Sequence, residues 1–288
     1  MSTYLYNSPL YGTEWRLPTT MLWTETERSL PTTMKPIDEE LNYSVDHALC
    51  QEIALTEDPQ EILFSLFKRF KGRAAIVTSG QLSGMVLLHM AVENQLPFRV
   101  CTLDTLRLFP ETYTFLEQVE ARYGVQIEQI QPDPQEVQQM VTEHGEYLFF
   151  DSKAKQEYCC NIRKVRPMQR LLETLDVWIT GLRHDQSEAR QQLRKAEIIS
   201  SKTHPVLKVN PLVQWTSDQV WQFVRENDIP VNPLLEADAH GHYYESLGCV
   251  ICTTPIKPGE PKRAGRWRWQ NAPSTEENTK ECGLHYSI

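Results

Sequence analysis

Between residues 59 and 226 the chain alternates short apolar runs with stretches of helical spacing, and this rhythm constrains the fold more than any other feature. "PQEILFSLFKRF" (59–70) spaces its apolar residues three and four apart, as one face of a helix does. "AAIVTS" (74–79) is a short strand of the buried type, and "GMVLLHMAVEN" (84–94) is an apolar helix behind it. "FRVCTLD" (98–104) repeats the strand pattern. "PETYTFLEQVEARYG" (110–124) then reads as a helix, with Pro110 at its start and Gly124 at its end. "VQIEQI" (125–130) and "DPQEVQQMVTEHG" (133–145) are a further strand and helix. "VWITGL" (177–182) and "PVLKVNPL" (205–212) supply two more strands, and "TSDQVWQFVREN" (216–227) a helix capped by Thr216 or Ser217.

Apolar strands alternating with helices predict an α/β fold, a parallel sheet covered on both faces. Such folds take their ligands just beyond the carboxyl ends of the strands. Three of those ends carry Gly or polar residues: "TSGQLSG" (78–84), "LDTLRLFPET" (103–112) and "TGLRHDQSEAR" (180–190). A strand that runs into Ser-Gly and then a helix offers free backbone N–H groups and a helix dipole to an anion or nucleotide. It is neither a Walker loop nor a GxGxxG fingerprint.

The flanks read differently. Residues 1–45 carry "LPTT" twice, at 17–20 and 30–33, without a clear period. They predict an irregular extension packed on the core or on another subunit, which leaves a homo-oligomer open. Residues 46–232 form the α/β domain, and 233–288 dissolve into Pro, Gly, His and Cys, loops organised by something other than a core. No apolar run approaches the ~18 residues of a membrane span, and the first residues lack the basic and apolar regions of a signal peptide. The expectation is a cytoplasmic protein without membrane contact, with its thiols reduced. A net charge of −9 argues against nonspecific nucleic-acid binding, so an anionic ligand needs a local cluster of cations.

The seven cysteines separate into classes. Cys50 and Cys101 lie in apolar segments and read as small core residues. Cys159-Cys160 and the CxxC of Cys249 and Cys252 are two tight pairs. A CxxC is half a zinc site, a redox dithiol or half an iron–sulfur site. The thioredoxin-like reading wants it at a helix start after a strand, and here it follows the last periodic element. Zinc usually takes ligands spaced by two or more residues, so the adjacent pair tilts the balance toward iron–sulfur ligation, with zinc the alternative. Positive charge gathers beside both pairs: Arg163, Lys164 and Arg166 after the first, Lys262, Arg263, Arg266 and Arg268 after the second. Cys282 stands apart, with His285 three residues on, at the chain's end. It is either a stray surface thiol or a nucleophile carried on a mobile tail.

"CC" with its following "RK", "GCVICT", "KPGE…RAGRW" and the terminal "ECGLH" together resemble the thioredoxin-dependent adenylyl-sulfate (APS) reductases of assimilatory sulfate reduction, within the APS and 3′-phosphoadenylyl-sulfate (PAPS) reductase family. The similarity runs from about residue 74 to 285 and takes in "LDTLRLFPETY" and "TGLRHDQSEAR". It implies a modified Rossmann-like domain of the adenine nucleotide alpha hydrolase, or ATP-pyrophosphatase, type. It also implies a 4Fe–4S cluster on Cys159, Cys160, Cys249 and Cys252, and a catalytic cysteine, Cys282, on the C-terminal tail. The phosphosulfate would be held by Lys164, Arg263, Arg266 and His285. The adenylate half would lie against Ser79, Gly80 and Ser83, against Leu103, Asp104 and Thr105, and against Gly181 and Arg183. Two departures stand out: Leu106 occupies a position where the family commonly has Gly, and "TSGQLSG" lacks the acidic residue of the ATP-using relatives.

The implied reaction turns APS into sulfite and AMP for cysteine biosynthesis. The Cys282 thiolate attacks the substrate's sulfur, and reduced thioredoxin or a similar dithiol resolves the resulting S-sulfocysteine. A cluster-bearing PAPS reductase is the near alternative. An ATP-dependent tRNA-thiolating enzyme shares the fold, but the acidic charge and the ECGLH tail oppose it. A zinc-stapled binding module leaves that tail unexplained.

Overall fold

The computed structural model describes residues 43–270. The extension expected over 1–45 lies almost wholly outside the described residues, as do Cys282, His285 and the tail that carries them.

Six strands form one sheet: β1 (Ala74–Val77), β2 (Arg99–Leu103), β3 (Ile127–Ile130), β4 (Val177–Ile179), β5 (Ala196–Ser200) and β6 (Pro205–Val209), in the order β3-β2-β1-β4-β6-β5. Five run parallel, with Ile76 of β1 beside Val100 of β2 on one side and Ile179 of β4 on the other. The sixth corrects the expectation of a wholly parallel sheet. β5 pairs antiparallel with β6, Ile198 opposite Leu207, at the edge. "AEIIS" has no clean alternation of buried and exposed residues, because an edge strand buries its side chains only in part. The turn into β6 is closed by Ser201, whose hydroxyl donates to the His204 carbonyl at 2.7 Å.

Helices cover the sheet: α1 (His47–Leu55), α2 (Pro59–Phe70), α3 (Leu82–Glu93), α4 (Pro110–Tyr123), α5 (Pro134–His144), α6 (Lys153–Cys160), α7 (Arg166–Leu172) and α8 (Ser217–Glu226). Their ends obey local chemistry. Asp58 and Asp133 accept from the backbone N–H groups of the first turns of α2 and α5. Gly124 ends α4 at φ 64°, and Thr216 with Gln219 forms a capping box on α8. One face of the sheet packs with α2, α3 and α8 through Leu63, Phe67, Leu87 and Val220; the other packs with α7 through Met168, Leu172 and Trp178. No helix among the described residues is long and apolar enough to cross a membrane.

Between α6 and α7 the helix widens into a π turn over Asn161–Val165. Pro167 provides a reason: it has no N–H to return to the Arg163 carbonyl, so the ordinary register cannot close there. The consequence is functional. The widened turn follows Cys159 and Cys160 directly and carries Arg163 and Lys164.

Candidate active site

A cavity of about 280 Å³ opens beyond the carboxyl ends of β1, β2 and β4. The strand order reverses direction around β1, and the crevice between neighbouring strand ends there is where open α/β sheets take ligands. Ser79 lines it from the turn after β1 and Ser83 from the first turn of α3, Leu103 and Thr105 from the end of β2, and Gly181 and Arg183 from the end of β4. A Cβ on Gly181 would stand 2.8 Å from Ser83 Cβ and 3.0 Å from the Gly84 nitrogen, so only glycine lets these two loops close on each other.

The loops are also tied electrostatically. Buried Arg183 donates through Nη1 to the Ser83 hydroxyl and through Nε to Asp185 at 3.0 Å. Asp185 in turn accepts from the backbone N–H of Ser217, at the start of α8, at 2.7 Å. Gln81 joins this floor to the C-terminal loops: its Nε2 donates to Ser79 at 2.6 Å, and its Oε1 accepts from the Leu247 N–H at 3.1 Å.

Lys164, Arg263 and Arg266 line the same cavity. Arg266 is buried, its guanidinium 4.7 Å from the centre of the Trp267 ring. Gly248 makes room for it, since a Cβ there would meet Arg266 Nη1 at 2.3 Å. Thus the nucleotide-side loops and the cations expected at the anionic end share one wall. Two expected residues do not. Asp104 is buried beneath the loop, accepting from the Leu106 N–H at 2.8 Å, Tyr113 Oη at 2.6 Å and Gln131 Nε2 at 2.9 Å. Gly80 turns at φ 72°, where an added Cβ would meet the Phe115 ring at 3.3 Å, and does not line the cavity.

The four paired cysteines are buried and free of disulfides. Cys160, Cys249 and Cys252 cluster with Trp267, and Cys159 belongs to the adjoining apolar cluster, with Ile251 and Trp269 common to both. Cations surround them. Arg163 donates to the Thr105 carbonyl at 2.9 Å, and Arg107 stacks 5.3 Å from the Phe149 ring centre. The Cys249 thiol is held well below the usual thiol range by its hydrogen bond with Cys252, then by Lys164, Thr105 and Arg266, against the opposing effect of burial. Thr105 Oγ1 stands 3.3 Å from Cys249 Sγ and also lines the cavity, so the cysteine nest and the cavity share a wall.

Whether this nest suits a metal group can be judged from its donors. Among the described residues no three Cys, His, Asp or Glu side chains converge closely enough to hold a single ion. Yet Trp267 Nε1, Trp269 Nε1, Arg266 Nε and Arg107 Nη1 are buried donors without an acceptor. Buried donors normally find partners. Four thiols, adjacent cations and orphaned donors together fit a bulky, anionic, sulfur-rich group better than one ion.

Sequence reasoning passed over Arg107, Asp185 and Glu245. The last was legible only as the residue four before Cys249, a position that carries no motif.

The family model for the phosphoadenosine phosphosulfate reductase domain matches residues 73–255. An adenosine 5′-phosphosulfate reductase of Burkholderia cepacia is 37% identical over 83% of this chain and 90% of its own length. One of Allochromatium vinosum is 41% identical over 70% of this chain and 74% of its own. The crystal structure of a phosphoadenylyl-sulfate (PAPS) reductase from Candida auris, a phosphate complex, superposes with a TM-score of 0.59 at 26% identity, over 74% of this chain and 99% of that one.

Proposed function

This chain belongs to the phosphoadenosine phosphosulfate reductase family, and from that premise we propose that it reduces adenosine 5′-phosphosulfate to sulfite and AMP at the cavity beyond β1, β2 and β4, with a dithiol protein such as thioredoxin as donor. One observation carries the reading: a single cavity wall joins Ser83, Gly181 and Arg183 to Lys164, Arg263 and Arg266. The first three suit an adenylate and the last three an anionic phosphosulfate. Relatives named for adenosine 5′-phosphosulfate, at 37% and 41% identity, support that substrate over its 3′-phosphorylated form.

Cys282 is the nucleophile. Its thiolate attacks the substrate's sulfur, the bond from that sulfur to the phosphate oxygen breaks, and AMP leaves with the bonding electrons. Lys164, Arg263 and Arg266 disperse the charge that collects on the departing phosphate. A donor thiolate then attacks Cys282 Sγ and sulfite leaves. The donor's second thiol displaces Cys282, so the two electrons come from the dithiol, which ends as a disulfide.

Cys159, Cys160, Cys249 and Cys252 would hold a 4Fe–4S cluster, the buried thiols and orphaned donors around them being the support for that assignment. When bound, it supplies a fixed charge beside the phosphosulfate end of the cavity. Lys164, on the π turn that follows Cys160, lines that cavity and contributes to the field at Cys249.

The test is turnover of purified protein with APS, reduced thioredoxin and its reductase. Sulfite and AMP should appear in equal amounts. Absence of sulfite with APS, or an equal or better kcat/KM for PAPS, overturns the reading.

A further inference from the structure

Glu245 is a carboxylate in the wall of a cavity otherwise furnished with cations. Its place is set by backbone on both sides. Tyr243 N–H donates to the Ile256 carbonyl at 3.2 Å, Tyr244 N–H to the Leu234 carbonyl at 2.9 Å, and Leu247 N–H to Gln81 Oε1 at 3.1 Å. Tyr244 is further wedged against Phe109, ring centres 5.0 Å apart. The carboxyl group is half-buried, and burial raises its pKa, with Lys262 and Arg183 opposing and Asp185 reinforcing the rise. Among the described residues no group donates a hydrogen bond to it.

The two cations that face Glu245 are already engaged. Arg183 Nε lies 3.0 Å from Asp185, and Lys262 Nζ lies 3.7 Å from the same carboxylate. Glu245 and Asp185 match these two cations charge for charge. Arg190, another cation of the wall, donates to Gln186 Oε1 at 2.5 Å. The corner therefore presents an acceptor without a donor, beside the Arg183 loop on the nucleotide side. A ribose hydroxyl is a neutral donor of the kind such an acceptor takes. Elsewhere in Rossmann-like folds an acidic residue on a ribose hydroxyl separates plain from phosphorylated dinucleotides by the same physics.

Resting on the proposed APS reductase activity, we infer that Glu245 is a specificity-determining residue that accepts from a ribose hydroxyl and rejects nucleotides bearing a second phosphate there. A phosphate on that oxygen removes the donor and brings a further charge of about −1.5 to −2 against a carboxylate. The unfavourable juxtaposition, rather than any contact to the phosphosulfate, then sets the preference between the two substrates.

Equilibrium binding to the full-length protein tests this without turnover, with AMP and adenosine 3′,5′-bisphosphate as the probes. The wild type should bind AMP more tightly. Glu245→Gln removes the charge without stranding a donor, and should shift the ratio of the two Kd values toward the bisphosphate by roughly tenfold or more, the scale of one displaced like-charge contact. Glu245→Ala should shift it the same way, and Glu245→Asp, which keeps the charge, should stay with AMP. Either of two results overturns the inference: equal binding of both probes by the wild type, or a ratio that moves by less than about threefold in both uncharged variants. Failure of the wild type to make sulfite from APS would defeat the proposed activity while leaving the binding ratio readable. Normal sulfite production with an unmoved ratio would defeat only the role of Glu245.

Discussion

The Asp104 carboxylate accepts from the backbone N–H of Leu106 at 2.8 Å, and Leu106 sits at φ 57°, in the left-handed region. A leucine therefore takes a left-handed turn position here, and the buried Asp104 holds it. A side chain in that region costs about 1–2 kcal/mol, and that of Leu106, 45% exposed, recovers only part of it by burial. Leu106→Gly should raise stability by about 0.5–1 kcal/mol, after the extra entropy glycine gains when unfolded. Urea denaturation of the two proteins side by side measures it; a destabilised glycine variant would mean the leucine packs on something.

Gly181→Ala should be far worse. Its Cβ would press on Ser83 Cβ at 2.8 Å and on the backbone of α3, neither of which is a flexible end. Overpacking of this kind costs about 1–3 kcal/mol. It should also separate Ser83 from Arg183, so AMP binding should weaken along with the melting temperature. Unchanged AMP affinity would show that the two loops can part without loss.

Protein purified without oxygen should be brown and contain about four irons and four sulfides per chain. Cys249→Ser should lose the colour and most of the sulfite-forming activity. Zinc in one-to-one amount with no sulfide would instead identify a zinc site.

Thiol reactivity should single out Cys282. Burial, then Glu128, push the Cys101 thiol up to about 12 against the opposing Arg99, so it stays protonated near neutral pH and inert to iodoacetamide. Incubation with APS and no donor should leave one SO₃ unit on the peptide containing Cys282 and release AMP. Cys282→Ser should bind APS yet form no adduct, a hydroxyl being much the poorer nucleophile. An SO₃ label on Cys101, or sulfite from the serine variant, would refute the terminal nucleophile.

Arg99 and Glu128 join β2 to β3 through two hydrogen bonds of 2.7 Å, and the Arg99 hydrogen bond lowers the Glu128 pKa from its ordinary value of 4.5. A lowered folded value gives stability that is present at neutral pH and lost as pH falls below 4.5 and through that folded value. The pair is partly exposed, which limits it to about 0.2–1 kcal/mol. Glu128→Gln should therefore lower stability at pH 7, and the gap to wild type should close as pH falls below 4.5. A gap that persists in acid would assign the effect to packing.

The local periods of the sequence determined β1 to β4, β6 and the helices α2 to α5 and α8, whereas α1, α6, α7 and the edge strand β5 were not legible in them. Apolar spacing over 59–70 and 110–123, with Pro110 and Gly124 at the ends of α4, depends only on neighbours along the chain. The same holds for the inventory of chemistry: paired cysteines, basic runs beside them, and a terminal cysteine are all visible as letters. What the tertiary structure decided is which letters meet. Ser83 and Arg183 touch because β1 and β4 are neighbours, although a hundred residues separate them. Thr105 reaches Cys249 across 144 residues, joining the cysteine nest to the cavity. Asp104 and Ser83 look alike as polar residues at strand ends, yet one is buried as a brace and the other lines the cavity. Glu245 has no motif at all, and only the closure of the C-terminal loops onto Gln81 brings it to the cavity wall. Periodicity is a property of adjacent residues and survives in a string, whereas convergence follows from strand order and loop closure, which depend on the whole buried core at once.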